Sequence, residues 1–209
     1  MKEIVSDENL KKYKTVIFDV DGTLYSLDQM HFYIFCEMFK YYFFHPWKYK
    51  ELFIIRDFRH VREYLALAGV KNVNDQQFSL VAEHLQVDIG LVKKTVDFWI
   101  NKRPLEYIRR CLRPKIKELI DRASSLGLIL VYFSDYDPEP KVRRLGLKYD
   151  YFFNASSKQI DALKPSPKGV EYILQQLSLR AEDCLMIGDR QDKDGAAAIA
   201  AGLEYFIVN

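Results

Sequence analysis

Residues 15–25 read TVIFDVDGTLY. The opening six, TVIFDV, are a short apolar, β-branched run, and Asp-Gly-Thr follows them at once. This reads as a buried strand that ends in a turn. Asp19 and Asp21 stand two apart at that strand end. Alternation aims residues two apart to one side, but a turn begins here, so their directions can diverge. Gly22 lets the backbone turn sharply. A carboxylate so placed can attack phosphorus and form an aspartyl-phosphate. A second carboxyl can give a proton to the leaving oxygen and later take one from water.

Similar strands lie further along the chain. Residues 127–134, GLILVYFS, form a second buried run ending at Ser134-Asp135, and residues 184–188, CLMIG, a third ending at Gly188-Asp189. Weaker runs are YFF at 151–153 and EYFIV at 204–208. Helical patterns alternate with them. Ile116, Leu119, Ile120 and Ala123 share a helical face that Gly127 stops. Asp137-Pro138 and Ser166-Pro167 start two more helices, and an alanine-rich stretch, 192–201, ends at Gly202. The alternation over 113–209 predicts an α/β fold, a Rossmann-like three-layer core with a parallel sheet. Ligands sit beyond the carboxyl ends of such strands, where Asp19, Ser134 and Asp189 all fall. Residues 24–112 interrupt the pattern and are too long for a loop. They predict an inserted helical domain, with helices over 28–44, 48–66, 74–85 and 88–101, leaving 1–23 and 113–209 as the core.

Three further signals join the first. A hydroxyl and a free backbone N–H at Ser134 can hold a phosphoryl oxygen, and Asp135 and Tyr136 follow it directly. The ammonium of Lys164, in LKPSPKG, can neutralise both an attacking carboxylate and a phosphate. In IGDRQDKDGAAA, residues 187–198, Asp189 and Asp194 bracket a loop that enters a helix. Oxygen ligands of this kind suit Mg²⁺, and the ion would shield the charge between carboxylate and phosphate. Taken singly, each signal has an ordinary reading as a turn, a cap or a solvated side chain. The ordered set of four is specific.

With these motifs the chain resembles the haloacid dehalogenase superfamily, near its phosphoglycolate-phosphatase-like branch. DVDGT stands at the first family motif, Ser134 at the second, Lys164 at the third and GDRQDKD at the fourth. The insertion matches by position the family's helical cap of the first type. The resemblance implies Asp19 as nucleophile and metal ligand, and Asp21 as general acid/base with its main-chain oxygen on the metal. It implies Ser134 and Lys164 on the phosphoryl group, with help from the backbone of Gly22 and Asp135. Asp189 would complete the Mg²⁺ site, and Asp194 would support it directly or through water. The implied reaction is hydrolysis of a small phosphate monoester, with the insertion selecting the leaving group. Dehalogenases of the family lack the second carboxylate, because a halide needs no proton, so Asp21 speaks for ester hydrolysis. Phosphomutases keep both carboxylates and stay open, as does a non-catalytic binding protein that uses the aromatic insertion.

Composition sets the outer limits. The chain has 209 residues, 49% apolar and 29% charged, with a net charge of +2. That is a globular balance, with no basic field for nucleic acid. Cys36, Cys111 and Cys184 are odd in number and far apart, which excludes a disulfide scaffold and suits a reducing compartment. The opening residues lack an apolar signal core and no stretch reads as a spanning helix, so the expectation is a cytoplasmic protein without a transmembrane segment. Of the 30 aromatic residues, 13 lie between Tyr25 and Phe58. Phe32, Phe35, Phe39, Tyr42 and Phe43 keep helical spacing and read as the insertion's own core. Tyr33, Tyr41 and Phe44 fall off that stripe, which leaves room for an aromatic substrate pocket, a homodimer face or an apolar contact. Arg56, Arg59 and Arg62 read as a solvated face. His31, His45, His60 and His84 show no ligand spacing.

Overall fold

The computed structural model describes residues 5–208. In chain order the elements are α1 (Asp7–Leu10), β1 (Thr15–Phe18), α2 (Leu27–Phe44), α3 (Lys50–Ala68), α4 (Val73–Leu85), α5 (Ile89–Val96), α6 (Arg103–Cys111), α7 (Pro114–Ser125), β2 (Ile129–Ser134), α8 (Glu139–Leu145), β3 (Tyr151–Asn154), α9 (Lys168–Gln176), β4 (Cys184–Gly188), α10 (Ala196–Ala200) and β5 (Glu204–Ile207). They divide into two compact units. One runs up to Ser26 and resumes at Leu112; the other is Leu27–Cys111.

The first unit is a Rossmann-like α/β layer. Its five strands are all parallel, in the order β3-β2-β1-β4-β5. The central strands β1 and β4 are buried at every residue, as expected for strands covered on both faces. Register then decides what meets at the carboxyl edge. Phe18 lies beside Tyr132 on one side and Ile187 on the other, so Asp19, Ser134 and Asp189 emerge at one end of the sheet. The N–H of Asp19 donates to the carbonyl of Ile187 at 2.8 Å, which carries the pairing one residue past β1. Pro114 opens α7, which buries Ile116, Leu119, Ile120 and Ala123 as the spacing predicted. Gly146 closes α8 in the left-handed conformation.

The second unit is a helical bundle of α2 to α6. The predicted helix over 88–101 is helical from Ile89 and runs on further, passing through a wider-wound segment, Asp97–Lys102, into α6. Within the unit, Phe58 packs on Phe78 and Tyr33 stacks on Tyr107, with ring centroids 5.2 Å apart in both pairs. The buried Trp99 meets Tyr41 edge-on at 5.4 Å. Two expectations fail here. Most of the stripe expected as core is outside: Phe32, Phe35, Phe39 and Phe43 are 65–70% exposed, while Tyr42, its fifth member, is half-buried with its ring 5.8 Å from that of Trp99. The residues α2 buries are Met30 and Ile34. The helix is apolar nearly all round, so hydrophobicity alone does not say which face the bundle takes. The second failure is Arg62. It is buried and donates to Gln77 Oε1 at 2.7 Å, while Gln77 in turn donates to the carbonyl of Phe58 at 2.6 Å. Among the described residues no helix is long and apolar enough to cross a membrane.

Candidate active site

All the residues singled out at strand ends lie in the first unit, and they form two neighbouring groups. In the first group Lys164 Nζ sits 2.5 Å from Asp19 Oδ1 and 2.7 Å from Asp194 Oδ1. All three residues are buried. The second oxygen of Asp19 accepts from Thr23 Oγ1 at 2.8 Å. The second oxygen of Asp194 accepts the backbone N–H groups of Asp189 and Arg190, at 3.2 and 3.0 Å. Asp194 owes its position to the loop after β4, whose wide turn, Gln191–Gly195, carries it back under the strand end. Two glycines make the closeness feasible. Gly22 has φ +98°, and a Cβ there would stand 2.1 Å from Asp189 Oδ2. A Cβ on Gly188 would stand 2.3 Å from the Asp194 side chain.

Asp19, Asp189 and Asp194 each offer a carboxylate oxygen, and these oxygens lie within 4.8 Å of one another. Three carboxylates therefore share one ammonium. Burial, with Asp194 and Asp189 nearby, pushes the Asp19 carboxyl up to about 8 even though Lys164 pulls it down. Burial and Asp194 also raise Asp189. Burial would lower the Lys164 ammonium, but Asp19 and Asp194 hold it above its ordinary value. A cluster with surplus negative charge and only hard oxygen donors fits Mg²⁺ well.

The second group centres on Asp21. Lys141 Nζ lies 2.6 Å from both of its carboxylate oxygens. The Tyr25 hydroxyl donates to one oxygen, and Ser134 Oγ donates to the other at 3.1 Å. Burial would raise this carboxyl, yet the Lys141 charge and the three hydrogen-bond donors hold it below the usual carboxylate range. The Asp21 side chain thus stands apart from the three-carboxylate cluster. Ser134 Oγ also accepts the N–H of Tyr136 at 3.2 Å. Asp135 is turned to structural work. Its carboxylate accepts the N–H of Lys164 at 3.1 Å, and its carbonyl accepts Ser156 Oγ at 3.1 Å. Asp192 is outside both groups and pairs with Arg190 at 2.6 Å.

Sequence reasoning missed Lys141 and Thr23. Lys141 has a legible signal after the fact: Pro138 fixes the start of α8, so residue 141 falls in its first turn, next to the end of β2. Thr23 is part of the DVDGT run, but a threonine after a glycine turn gives no hint that its hydroxyl reaches back four residues.

The chain has no sequence match among curated proteins. Solved structures share its fold at low identity. A HAD-hydrolase, YfnB from Bacillus subtilis bound to magnesium, superposes with a TM-score of 0.64 at 18% identity, covering 93% of this chain and 87% of that one. A 2-haloacid dehalogenase from Pseudomonas syringae pv. Tomato DC3000 gives 0.62 at 16%, covering 92% and 85%. CbbY from Rhodobacter sphaeroides in complex with phosphate gives 0.58 at 22%, covering 92% and 84%. These likenesses establish the architecture. The model of the haloacid dehalogenase-like hydrolases matches residues 13–202, nearly the whole chain, and with the strand-end carboxylates and Lys164 in place the chain belongs to that family of hydrolases.

Proposed function

We propose that this chain is a Mg²⁺-dependent phosphatase that hydrolyses a small phosphorylated metabolite, a phosphate monoester, through an aspartyl-phosphate on Asp19. The observation that carries the reading is the separation of two carboxylate roles. Asp19 lies in the three-carboxylate cluster, while Asp21 is held outside it by Lys141, Tyr25 and Ser134. A departing halide takes no proton, so its displacement would leave the acid role of such a second group without work. Cleaving a phosphate ester needs a proton given and a proton taken.

In this reading an Asp19 oxygen attacks phosphorus and the bond to the leaving oxygen breaks. The leaving oxygen takes a proton from the Asp21–Lys141 pair. Water then attacks the phosphorus of the phospho-enzyme and gives its proton to Asp21, and phosphate departs from a regenerated Asp19. The ion pair with Lys141 keeps Asp21 ionised, which suits the water-activating half of the cycle. Lys164 balances the charge that gathers on Asp19 and the phosphoryl oxygens, and Ser134 with the backbone N–H of Asp135 receives one of those oxygens. Asp19, Asp189 and Asp194 would hold Mg²⁺, whose charge shields the carboxylate from the phosphate. The three cysteines are unpaired, which fits work in a reducing cytoplasm.

The test is phosphate release from a panel of phosphate monoesters, with Mg²⁺ and with chelator, for the wild type and Asp19→Asn. Release that depends on Mg²⁺ and vanishes in Asp19→Asn is the expected result. Release unaffected by Asp19→Asn defeats the mechanism. An isomerised sugar phosphate without free phosphate replaces it with a phosphomutase.

A further inference from the structure

Lys193 stands inside the charged run Asp192-Lys193-Asp194, where a lysine is ordinarily solvated. It is instead buried, in the wide turn after β4. Its Nζ lies 3.9 Å from Asp135 Oδ2. That is ion-pair distance, too long for a hydrogen bond. Asp135 directly follows β2, and β2 and β4 are the strands that flank β1. The pair therefore joins the loops on either side of Asp19.

The effect of this pair falls on Lys164, which is held at both ends. Its ammonium donates to Asp194 at 2.7 Å, and its backbone N–H donates to Asp135 Oδ1 at 3.1 Å. The residue beside Asp194 is Lys193, which faces the other oxygen of Asp135. Asp135 is also anchored from the loop after β3, since its carbonyl accepts Ser156 Oγ at 3.1 Å. Its carboxylate is close enough to act on the Lys164 ammonium. Against burial, Asp19, Asp194 and then Asp135 hold that ammonium above its ordinary value. Asp135 thus competes for the cation that Asp19 and a phosphoryl oxygen need. A buried carboxylate without a counter-charge draws the cation nearest to it. A second ammonium at the far oxygen of Asp135 offsets that pull.

We infer that Lys193 is a positioning residue for the reaction: it engages the Asp135 carboxylate and so leaves Lys164 to Asp19 and the phosphoryl group. The inference rests on the phosphatase reading above, which supplies the anion that Lys164 meets. Isothermal titration calorimetry of the full chain tests it, with Mg²⁺ alone and with inorganic phosphate at saturating Mg²⁺. Far-UV circular dichroism checks folding. A unit charge at about 10 Å, acting through an effective dielectric of about 20, changes an affinity about 10-fold. Lys193→Met should therefore weaken phosphate by about 10-fold and tighten Mg²⁺ by about as much. A loosened site would weaken both ions, so opposite shifts separate the charge role from a packing role. Asp135→Asn should move both affinities the other way, a result that stands whether or not Lys193→Met folds. The Asn oxygen can still accept the Lys164 N–H. The double variant, neutral at both positions, should recover phosphate binding to within about 3-fold of the wild type, the pair's charges being removed together. Equal weakening of both ions in Lys193→Met overturns the inference. So do affinities that Lys193→Met leaves unchanged, phosphate binding weakened by Asp135→Asn, and a double variant as weak as Lys193→Met. Each of these leaves the phosphatase reading standing. A wild type that binds neither ion defeats that reading, and the inference with it.

Discussion

The two units depart from the ordinary partition of residues in different ways, although the inserted one also buries Asp57 and Arg62. The sheet unit buries charge: Lys164, Asp19 and Asp194 lie within its interior. The inserted unit exposes aromatics: four phenylalanines of α2 stand in solvent while Met30 and Ile34 fill the inside. Charged groups are seldom buried unless paired, and large apolar patches are seldom left outside. In the first case every buried charge has a partner that can be named atom by atom, so the cost of burial is offset locally. In the second case nothing within the unit covers the stripe. Departures of this kind mark places where a sequence is shaped by something other than packing.

The sharpest way to break the contrast is to remove the cation from the buried group. Lys164→Met leaves Asp19 and Asp194 facing each other without compensation. Breaking a buried pair in this way costs about 3–5 kcal/mol. The folded variant should also lose at least about 1,000-fold in phosphate release, since the charge opposite the phosphoryl group is gone. Thermal melts with and without Mg²⁺ give a second readout. The ion should raise the melting temperature of the variant more than that of the wild type, because it then replaces the ammonium that Asp19 and Asp194 have lost. A variant as stable as the wild type under both conditions would show that the buried charges are not what organises this unit.

Lys141→Met is the milder cut, aimed at the neighbouring group. Loss of the ammonium removes the strongest influence holding the Asp21 carboxyl down, and burial then pushes it up. If Asp21 must be ionised to activate water, activity that is present above its pKa fails as pH falls through that pKa. The acid limb of the pH–rate profile should therefore move to higher pH. A fall of about 10- to 100-fold in kcat at neutral pH should accompany it. An unmoved acid limb would assign Lys141 a packing role only, with Tyr25 and Ser134 sufficient to hold Asp21.

The two units were also unequally legible. In the sheet unit the strands, their carboxyl ends and the helix starts at Pro138 and Pro167 were all readable, because each rests on a local signal with a fixed period or a fixed dihedral. Asp19, Ser134 and Asp189 followed from position at strand ends, and Lys164 and Asp194 from the short motifs LKPSPKG and GDRQDKD. Lys141 did not, because its role depends on how α8 folds back to the end of β2, which is a tertiary fact. Arg62 was misread for a similar reason. Three arginines at 56, 59 and 62 look like one solvated face, and only the approach of α4 puts Gln77 against the third. The aromatic stripe was the plainest failure. Amphipathic reasoning assigns the apolar face inward, and α2 offers apolar residues on several faces. Tyr33 and Tyr41, off the stripe, turn out to pack on Tyr107 and Trp99.

That failure yields the prediction with the smallest effect. If the stripe were core, Phe39→Ser would cost several kcal/mol, as large-to-small changes in a packed interior do. Exposed as it is, Phe39 makes few contacts that unfolding would break. Its removal should change the unfolding free energy by no more than about 0.5 kcal/mol. Ile34→Ala, one turn away on the buried side, should cost about 2–4 kcal/mol under the same conditions. Denaturant unfolding of the two variants side by side settles which face of α2 the inserted unit uses. Equal losses would mean that the stripe is covered within the chain, and the contrast between the units would fall.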